Sequence, residues 1–391
     1  MQRYDAIIIG GGAAGLYAAF HAGRRGRRVL VLEHNAEVGA KILISGGGRC
    51  NFTNLNAAPE RFISANPHFA RSALARHTQH DFTALVQKHR IPFYEKTLGQ
   101  LFCEGARSSQ RIVRMLLDEC AAAGVEVRCG VRVRDVRRAE RFSVETSAGA
   151  FDSETLTIAT GGLSIPKLGA GGFAFEIAKQ FGLPVTPTRP GLVPLTFGEG
   201  DLGWMRPLSG VSADVTVRAG KAAFREAALF THRGLSGPSV LQASSYRAPG
   251  EAIVIDWLPQ ADEDALAQRK RERPKAQLKS ILAELLSERL AAALAEQLPH
   301  GAVGDMKDAA LIEAARRLKA WPLTPIGDEG YAKAEVMVGG IDTDALSQQT
   351  METRAVSGLF FIGEAVDVTG WLGGYNFQWA WSSGWAAGQA L

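Results

Sequence analysis

Three glycines, Gly10, Gly12 and Gly15, follow an apolar run at the G-x-G-x-x-G spacing, and a carboxylate, Glu33, stands eighteen residues beyond the last of them. Residues of these types suit one task. The first glycine permits a tight turn, the second lets backbone approach a pyrophosphate, and the third lets the next helix pack closely on the strand. Glu33 can accept hydrogen bonds from ribose hydroxyls, and its charge opposes the extra phosphate of NADP. Two later segments share this texture: Ser45 to Asn54 (SGGGRCNFTN) and Leu359 to Gly384 (LFFIGEAVDVTGWLGGYNFQWAWSSG). A dinucleotide that meets both ends of a 391-residue chain is better matched by FAD than by NAD, which directs the reading towards redox chemistry.

The elements that must position these residues follow from periodicity. Tyr4 to Ile9 has the length of a buried parallel strand, Ala13 to Gly23 reads as a helix whose N-terminal amides face the phosphates, and Gly26 turns the chain into a second strand over 28–32. At the other end, Leu359 to Ile362 is a strand running into Gly363-Glu364, and Gly373-Gly374 opens a helix that runs through Ala380 to Ala390. That helix N-terminus can place positive potential beside the flavin N1 and O2 atoms and stabilise an anionic reduced ring. A further buried strand, Thr155 to Ala159, ends in Thr160-Gly161-Gly162, a turn that lets backbone sit close to a ligand.

Residues that could take part in the chemistry itself are fewer, and each has a plainer reading. Arg49 could stabilise a reduced flavin or hold a carboxylate, but a phosphate contact explains it better. Cys50 has no partner cysteine close in sequence and reads as a small buried hydrophobe. His232 and Arg233 precede GLSGP, where a polar turn before a proline-started helix accounts for them. Trp371 and Tyr375 could wall a flavin, although aromatics beside a helix start usually pack. No catalytic residue is assigned.

Composition bounds the class. Apolar residues make up 46% and charged residues 21%, ordinary for a globular protein, and 391 residues leave room for two or three domains. The net charge of +4 does not demand nucleic acid as a partner. Four cysteines without a C-x-x-C pair argue against a disulfide framework, and the histidines lack metal-ligand spacing. A strand so near Met1 leaves no room for a signal peptide, and no apolar run is long enough to span a bilayer, so a cytoplasmic protein that does not engage membranes is expected.

Texture also divides the chain. Residues 1–186 and 331–391 read as a discontinuous cofactor domain, with a helix near Ser109 to Ala123 and a strand pair around Val125 to Val136 and Arg141 to Thr146. Residues 187–260, rich in proline and β-branched residues, read as an antiparallel β-barrel-like substrate domain to which 321–338 could belong. Residues 261–320 read as a helical insert. In it Leu278, Ile281, Leu282, Leu285 and Leu286 form one apolar helix face, and Leu311, Ile312, Ala315 and Leu318 form another over Asp308 to Ala320. The basic run Arg269, Lys270, Arg271, Arg273 and Lys275 is most simply a solvated surface.

The segments GAKILISGGGRCNFTN, ATGGLSIPKLGAGG, LFTHRGLSGPSVLQAS and TMETRAVSGLFFIGEAVDVTGWLGGYNFQWAWSSG resemble the BaiN / aminoacetone oxidase-like (HI-type) family of bacterial FAD-binding flavoproteins. With the N-terminal fingerprint, the resemblance covers essentially the whole chain. It implies an α/β protein with a glutathione-reductase-type, Rossmann-like FAD-binding domain, an inserted antiparallel β-barrel-like domain and a small helical insert. It further implies that Gly12, Ala13, Ala14 and Glu33 hold the ADP half, beside the fingerprint's Gly10 and Gly15, and that Lys41 and the loop of Gly46, Gly47, Arg49, Cys50 and Asn51 lie along phosphates and ring. Val133 would meet adenine through its backbone, and Thr160 and Gly161 would border the ADP side. Gly363, Glu364, Gly374, Asn376 and Phe377 would surround the ribityl chain and isoalloxazine. The chain departs from the family at Gly171-Gly172-Phe173-Ala174, where similar proteins usually carry an Asp-Gly pair.

The function expected from these residues is an FAD-dependent oxidoreductase acting on a small-molecule substrate. It would pass a hydride from a reductant, NAD(P)H or a small amine, to an organic acceptor or oxygen. No second glycine fingerprint is present, so NAD(P)H would dock transiently over the ring. Nucleic acid is not expected as a partner, and the oligomeric state is left open. Two alternatives stand beside this reading: an FAD-dependent RNA-modifying enzyme, motivated by the basic helical insert, and a non-catalytic redox-sensing flavoprotein.

Overall fold

The computed structural model describes residues 2–391. The chain divides into two compact units: one runs to Arg189 and resumes over Val336–Leu391, and the other is Pro190–Glu335. The helical segment 261–320 and the β segment before it thus share one unit.

In chain order the first unit contains β1 (Gln2–Ile9), α1 (Ala13–Arg24), β2 (Val29–Leu32), α2 (Ala40–Gly48), β3 (Asn51–Asn54), α3 (Gln79–Lys88), β4 (Phe93–Glu95) and β5 (Gln100–Cys103). It continues through α4 (Ser109–Ala122), β6 (Glu126–Arg128), β7 (Val133–Arg138), β8 (Phe142–Thr146) and β9 (Gly149–Ile158). After the second unit it closes with β10 (Leu359–Phe361) and α5 (Tyr375–Gly388).

The central sheet has the order β6-β2-β1-β9-β8-β7, with β10 also beside β9. Strands β6, β2, β1, β9 and β10 run parallel, so their edges lead to the same end of the sheet. Ile7, Ile8, Leu30, Val31, Leu156, Ile158 and Phe361 are fully or almost fully buried, as expected of parallel strands covered on both faces. The long strand β9 changes partner along its length. Its first half pairs antiparallel with β8, and its last three residues pair with β10, which brings the C-terminal segment to the heart of the sheet.

Helix α5 is buried almost all round and lies against α1 at backbone distance. A Cβ added at Gly384 would stand 2.6 Å from the Ala14 carbonyl oxygen, and one at Gly388 would stand 2.7 Å from that of Ala18. Its buried polar side chains are all partnered. Gln378 accepts from Thr53 Oγ1 and donates to the His77 carbonyl, to which Ser382 also donates, while Ser383 accepts the Gly363 N–H. Away from α5, the buried Glu119 carboxylate ties α4 to α1 through Arg24 and to the end of α3 through Lys88 (2.8 Å) and His89 (2.7 Å).

In the second unit, seven short strands pair antiparallel in the order 321–323, 253–256, 212–219, 222–231, 234–236, 195–196, 327–328. The two end strands are neighbours in sequence, and so short a connection spans at most about 14 Å. The sheet therefore curls back on itself, as a barrel-like form requires. Trp204, Phe230, Trp257 and Trp321 pack against one another with ring centroids 5.7 to 6.4 Å apart. The helix Asp308–Lys319 follows the expected periodicity, burying Leu311, Ala315 and Leu318. The leucine series at 278–286 does not form one helix. The helix Leu278–Leu282 stops, Leu285 is exposed, and a new helix, Glu288–Ala295, starts after Ser287. Ser287 takes extended backbone at the N-cap without a side-chain cap bond, and Glu288 stands in the first turn, where its charge favours the new helix start.

Replacing Gly384 with Ala should force α5 away from α1 and cost roughly 1–3 kcal/mol, read as a lower urea midpoint. Gly203→Ala, in an open helical position, should leave the midpoint unchanged or raise it; equal midpoints for Gly384→Ala and the parent would contradict the close approach. Burial by itself raises the Glu119 pKa, but hydrogen bonds from Lys88 and His89 and the charge of Arg24 outweigh it and hold it at about 2. A depressed folded pKa stabilises above the unfolded carboxylate range and is lost as pH falls towards that value. Glu119→Gln should therefore be less stable at pH 7, with the difference closing between about pH 5 and pH 2 in a pH series of denaturant midpoints.

Candidate functional site

The turn after β1 shows why its glycines are needed. Gly10 has φ +112°, and a Cβ there would fall 2.4 Å from the Ala159 carbonyl oxygen at the end of β9. At Gly15 a Cβ would collide with the Gly10 carbonyl oxygen at 2.0 Å, so this residue sets how closely α1 packs on the turn. Gly12 differs, because nothing lies within 4 Å of a Cβ placed there. It begins α1 with no side-chain cap and no acid in the first turn, so the amides around Ala13 and Ala14 keep their donors and the positive helix end for an anion. By contrast, α3 is closed by a capping box between Thr78 and Asp81.

Glu33, at the end of β2, is buried. Its Oε2 accepts the Gly11 N–H (2.8 Å) and its Oε1 accepts the Asn35 N–H (2.8 Å), with His34 Nδ1 at 3.1 Å. Each carboxylate oxygen retains a lone pair, enough to receive ribose hydroxyls. Val133 starts β7 half-buried, on a strand separated from β1 by β9 and β8.

A second cluster gathers four remote segments. Lys41 Nζ lies 2.5 Å from Glu364 Oε2 and 2.6 Å from Ser164 Oγ, and Ser164 Oγ donates to Glu364 Oε1 at 2.7 Å. The Met337 N–H also reaches Glu364 Oε1, at 3.1 Å. Gly161, at φ +73°, borders the same carboxylate, and a Cβ at Gly162 would press on Met337 and Glu364. Thr160 Oγ1, beside them, is buried without a hydrogen-bond partner among the described residues. Gly363 (φ +67°) lies against Ala14, and its carbonyl accepts from Trp379 Nε1 at 3.0 Å. The start of β10's following turn and the start of α1 are therefore adjacent.

The segment 45–54 is sewn to the start of α5. Ser45 leaves helical backbone, and Gly46, Gly47 and Gly48 are all left-handed, so α2 ends in a loop. Gly46 packs on the Phe102 ring, and Cys50 is itself left-handed (φ +51°). Asn51 donates to the Leu101 and Thr53 carbonyls at 3.2 Å, Asn54 donates to the Gly373 carbonyl at 2.8 Å, and Trp381 donates to the Phe52 carbonyl at 2.8 Å. Gly374 (φ +95°) begins α5, and a Cβ there would meet the Thr53 carbonyl oxygen at 2.4 Å. This helix also starts without a side-chain cap or a first-turn acid.

Several residues singled out by sequence have local employment. Arg49 donates to the Tyr94 hydroxyl (3.1 Å) and the Gly46 carbonyl, and its guanidinium lies 5.6 Å from the Phe102 centroid. Burial pushes the Cys50 thiol well above its ordinary range, which keeps it neutral. Both amide atoms of Asn376 bond the turn at Gly370 and Trp371, and Phe377 stacks on Trp381. Trp371 and Tyr375 pack beside the Arg61 guanidinium, with Trp371 at 4.7 Å. Gly172 precedes a helix at Phe173–Gln180. His232 and Arg233 are exposed in the second unit, in the turn between strands 222–231 and 234–236. Sequence reasoning missed Ser164, Ser383 and the pair Gly384 and Gly388. Ser164 lies inside the segment ATGGLSIPKLGAGG, and the glycine pair has a four-residue spacing that was legible.

The residues present fit FAD. An open glycine cradle at an uncapped helix start suits the pyrophosphate, a buried carboxylate suits a ribose, and the unpartnered Thr160 hydroxyl and the uncapped start of α5 offer donors farther along an extended ligand. A family model described as "HI0933-like protein Rossmann domain" matches residues 4–390. Over its full length the chain is 50% identical to the "Ribosomal RNA dihydrouridine synthase" of Escherichia coli K12, of which it covers 98%, and 45% identical to the protein of that name from Haemophilus influenzae, of which it covers 99%. The "3-dehydro-bile acid delta(4,6)-reductase" of Clostridium scindens is more distant, at 29% identity with 98% of each chain aligned. Among solved structures, a 3-ketosteroid-delta4-(5alpha)-dehydrogenase from Rhodococcus jostii RHA1 matches 99% of this chain and 97% of its own at TM-score 0.50 and 14% identity, a likeness of fold. A whole-length family match on an FAD-type nucleotide fold leaves one assignment: the chain belongs to the HI0933-like Rossmann-domain family and is an FAD-dependent oxidoreductase.

Proposed function

We propose that this protein reduces a uridine of ribosomal RNA to dihydrouridine, adding hydrogen across the C5–C6 double bond with NAD(P)H as the ultimate reductant. The observation that carries this reading is end-to-end identity of 50% and 45% with two proteins bearing that name. The more distant bile-acid reductase supports the same reaction type, because a double bond conjugated to a carbonyl is saturated in both cases. This reading takes the RNA-modifying alternative in place of a small-molecule substrate. The balance is uridine plus NAD(P)H plus a proton giving dihydrouridine plus NAD(P)+.

Bound FAD supplies hydride chemistry at this site. The chain's own residues bind and orient. Glu33 holds a ribose, with its carboxylate fixed by the Gly11 and Asn35 amides. The amides at the start of α1 carry the pyrophosphate charge, and those at the start of α5 favour negative charge next to them. Lys41, Ser164 and Glu364 form a preorganised polar group whose geometry is set by mutual hydrogen bonds, so little reorganisation is needed when a ligand is seated.

Two outcomes test the reading. Incubation of the purified holoprotein and NADPH or NADH with ribosomal RNA transcribed in vitro should produce dihydrouridine, seen by nucleoside mass spectrometry as a gain of two hydrogens. Oxidation of NAD(P)H with cyclic enones but no dihydrouridine in any ribosomal RNA preparation would sink it. Glu33→Ala should loosen FAD by roughly tenfold to a hundredfold, through lost charge-assisted hydrogen bonds, and leave protein purified with little flavin absorbance. Retention of a full flavin complement would show that Glu33 does not hold the ribose.

A further inference from the structure

Residues 88–114 form one of the basic stretches in this chain, beside Arg24 to Arg28 and Arg269 to Lys275. Residues 88–114 contain Lys88, Arg90, Lys96, Arg107, Arg111 and Arg114 against Glu95 and Glu104, an excess equal to the net charge of +4 carried by the whole protein. The basic run of the helical insert is largely neutralised by internal pairs. Arg269 binds Glu272 and Glu284, Arg273 binds Glu284, and Lys270 binds Asp308 and the Met306 carbonyl.

The cations at 90–114 are differently placed. A cleft of about 470 Å³ opens between the end of α3 and the exposed face of α4, lined by His89, Arg90, Arg111 and Arg114, with Asp118 the one acid on its wall. Asp118 is already bonded to Arg114 at 2.8 Å, and that arginine remains 77% exposed. Arg90, Arg107 and Arg111 are exposed and form no ion pair among the described residues. Lys88 shares Glu119 with Arg24 and His89, so a single carboxylate faces three basic groups.

The start of α4, whose exposed face lines the cleft, is tied to the neighbourhood of the candidate flavin loop by two serine hydroxyls. Ser109, at the start of α4, donates to the Leu43 carbonyl of α2 at 3.0 Å. Ser108 donates to the Cys103 carbonyl at the end of β5, where Phe102 supports Gly46. Lys96 and Arg49 each lie 5.6 Å from the Phe102 centroid, so two further cations stand beside the loop itself.

We infer that the α3–α4 cleft is a docking site for the phosphodiester backbone of RNA, with Arg90 and Arg111 as its phosphate contacts, an inference that rests on the functional reading above. Unpaired guanidinium groups around an open, solvated cleft suit phosphates, which they bind bidentately, and suit neither an apolar ligand nor a cation. Such contacts position a strand without reading its sequence, so this surface supplies affinity while the flavin site selects the base. Lys96 and Arg49 beside the loop offer further cations to a strand gripped at the cleft.

The test uses the holoprotein with Arg90→Asn and Arg111→Gln combined, asparagine being chosen because residue 90 has φ +53°. Binding of in vitro transcribed ribosomal RNA is followed over a salt series, alongside flavin absorbance and the rate of NAD(P)H-driven flavin reduction. The double variant should bind roughly tenfold more weakly or worse near 0.1 M salt, with a salt slope smaller by about 1.4 to 1.8. Its flavin spectrum and flavin reduction should match the parent, which shows an intact fold. The comparison protein carries Arg271→Gln and Lys275→Gln in the helical insert and should bind like the parent. Parental affinity and slope in the cleft variant, or a loss confined to the insert variant, overturns the cleft while dihydrouridine formation by the parent still stands. A parent that neither binds nor reduces RNA removes the functional reading, and the docking site with it.

Discussion

The approach of α1 to α5 without intervening side chains is the constraint on which the candidate site rests. Gly384 and Gly388 face the backbone oxygens of Ala14 and Ala18 at distances that no Cβ tolerates, and Gly363 lies against Ala14 in a left-handed conformation. Small residues bury little apolar area, so such an interface gains mainly from close van der Waals packing. Here it is also fastened by hydrogen bonds: Ser383 accepts from Gly363, and Trp379 holds the Gly363 carbonyl. Once α5 is seated, the segment 51–54 follows, because Thr53 bonds Gln378 and Trp381 bonds Phe52. Two N-terminal pieces and one C-terminal piece more than 300 residues later are thereby joined in one unit.

Two buried carboxylates, Glu33 and Glu119, and the half-buried Glu364 act as the junctions of this arrangement. Glu33 gathers the first and second strand ends through two amides, Glu364 gathers Lys41, Ser164 and Met337, and Glu119 gathers α1, α3 and α4 through three basic groups. A buried charge is tolerated only when paired and hydrogen-bonded, so each of these residues specifies which segments must meet. The same rule separates interior from surface. Cations with an internal acid brace the fold, and those without one are left to face solvent and anions.

Local order was legible where it depends on neighbours in sequence. The strand, glycine turn, helix, second strand and terminal acid of residues 4–33 lie within one short span, and their spacing carries their geometry. The two-residue alternation of 213–218 likewise marked a strand that the structure places in the antiparallel sheet. The leucines at 278–286 misled, because periodicity cannot see that Ser287 starts a new helix. The basic run at 269–275 was visible as a cluster, yet most of its charge is paired, in part by acids as distant as Asp308. Arg90 and Arg111 lie in one basic stretch, but that they line a single cleft shows only when α3 and α4 pack.

The sequence by itself determined the cofactor class and the α/β architecture, because phosphate binding at a helix start demands glycines and a carboxylate at fixed short separations. Tertiary structure alone decided which polar groups are satisfied and which are free. It spent both amide atoms of Asn376 on a turn, sealed Cys50 in the interior, joined Lys41 to Ser164 and Glu364, and left the Thr160 hydroxyl without a partner among the described residues. The physical reason is distance: hydrogen bonds and ion pairs act over a few ångströms, and separation along the chain does not reveal which residues the packing of helices and strands brings that close.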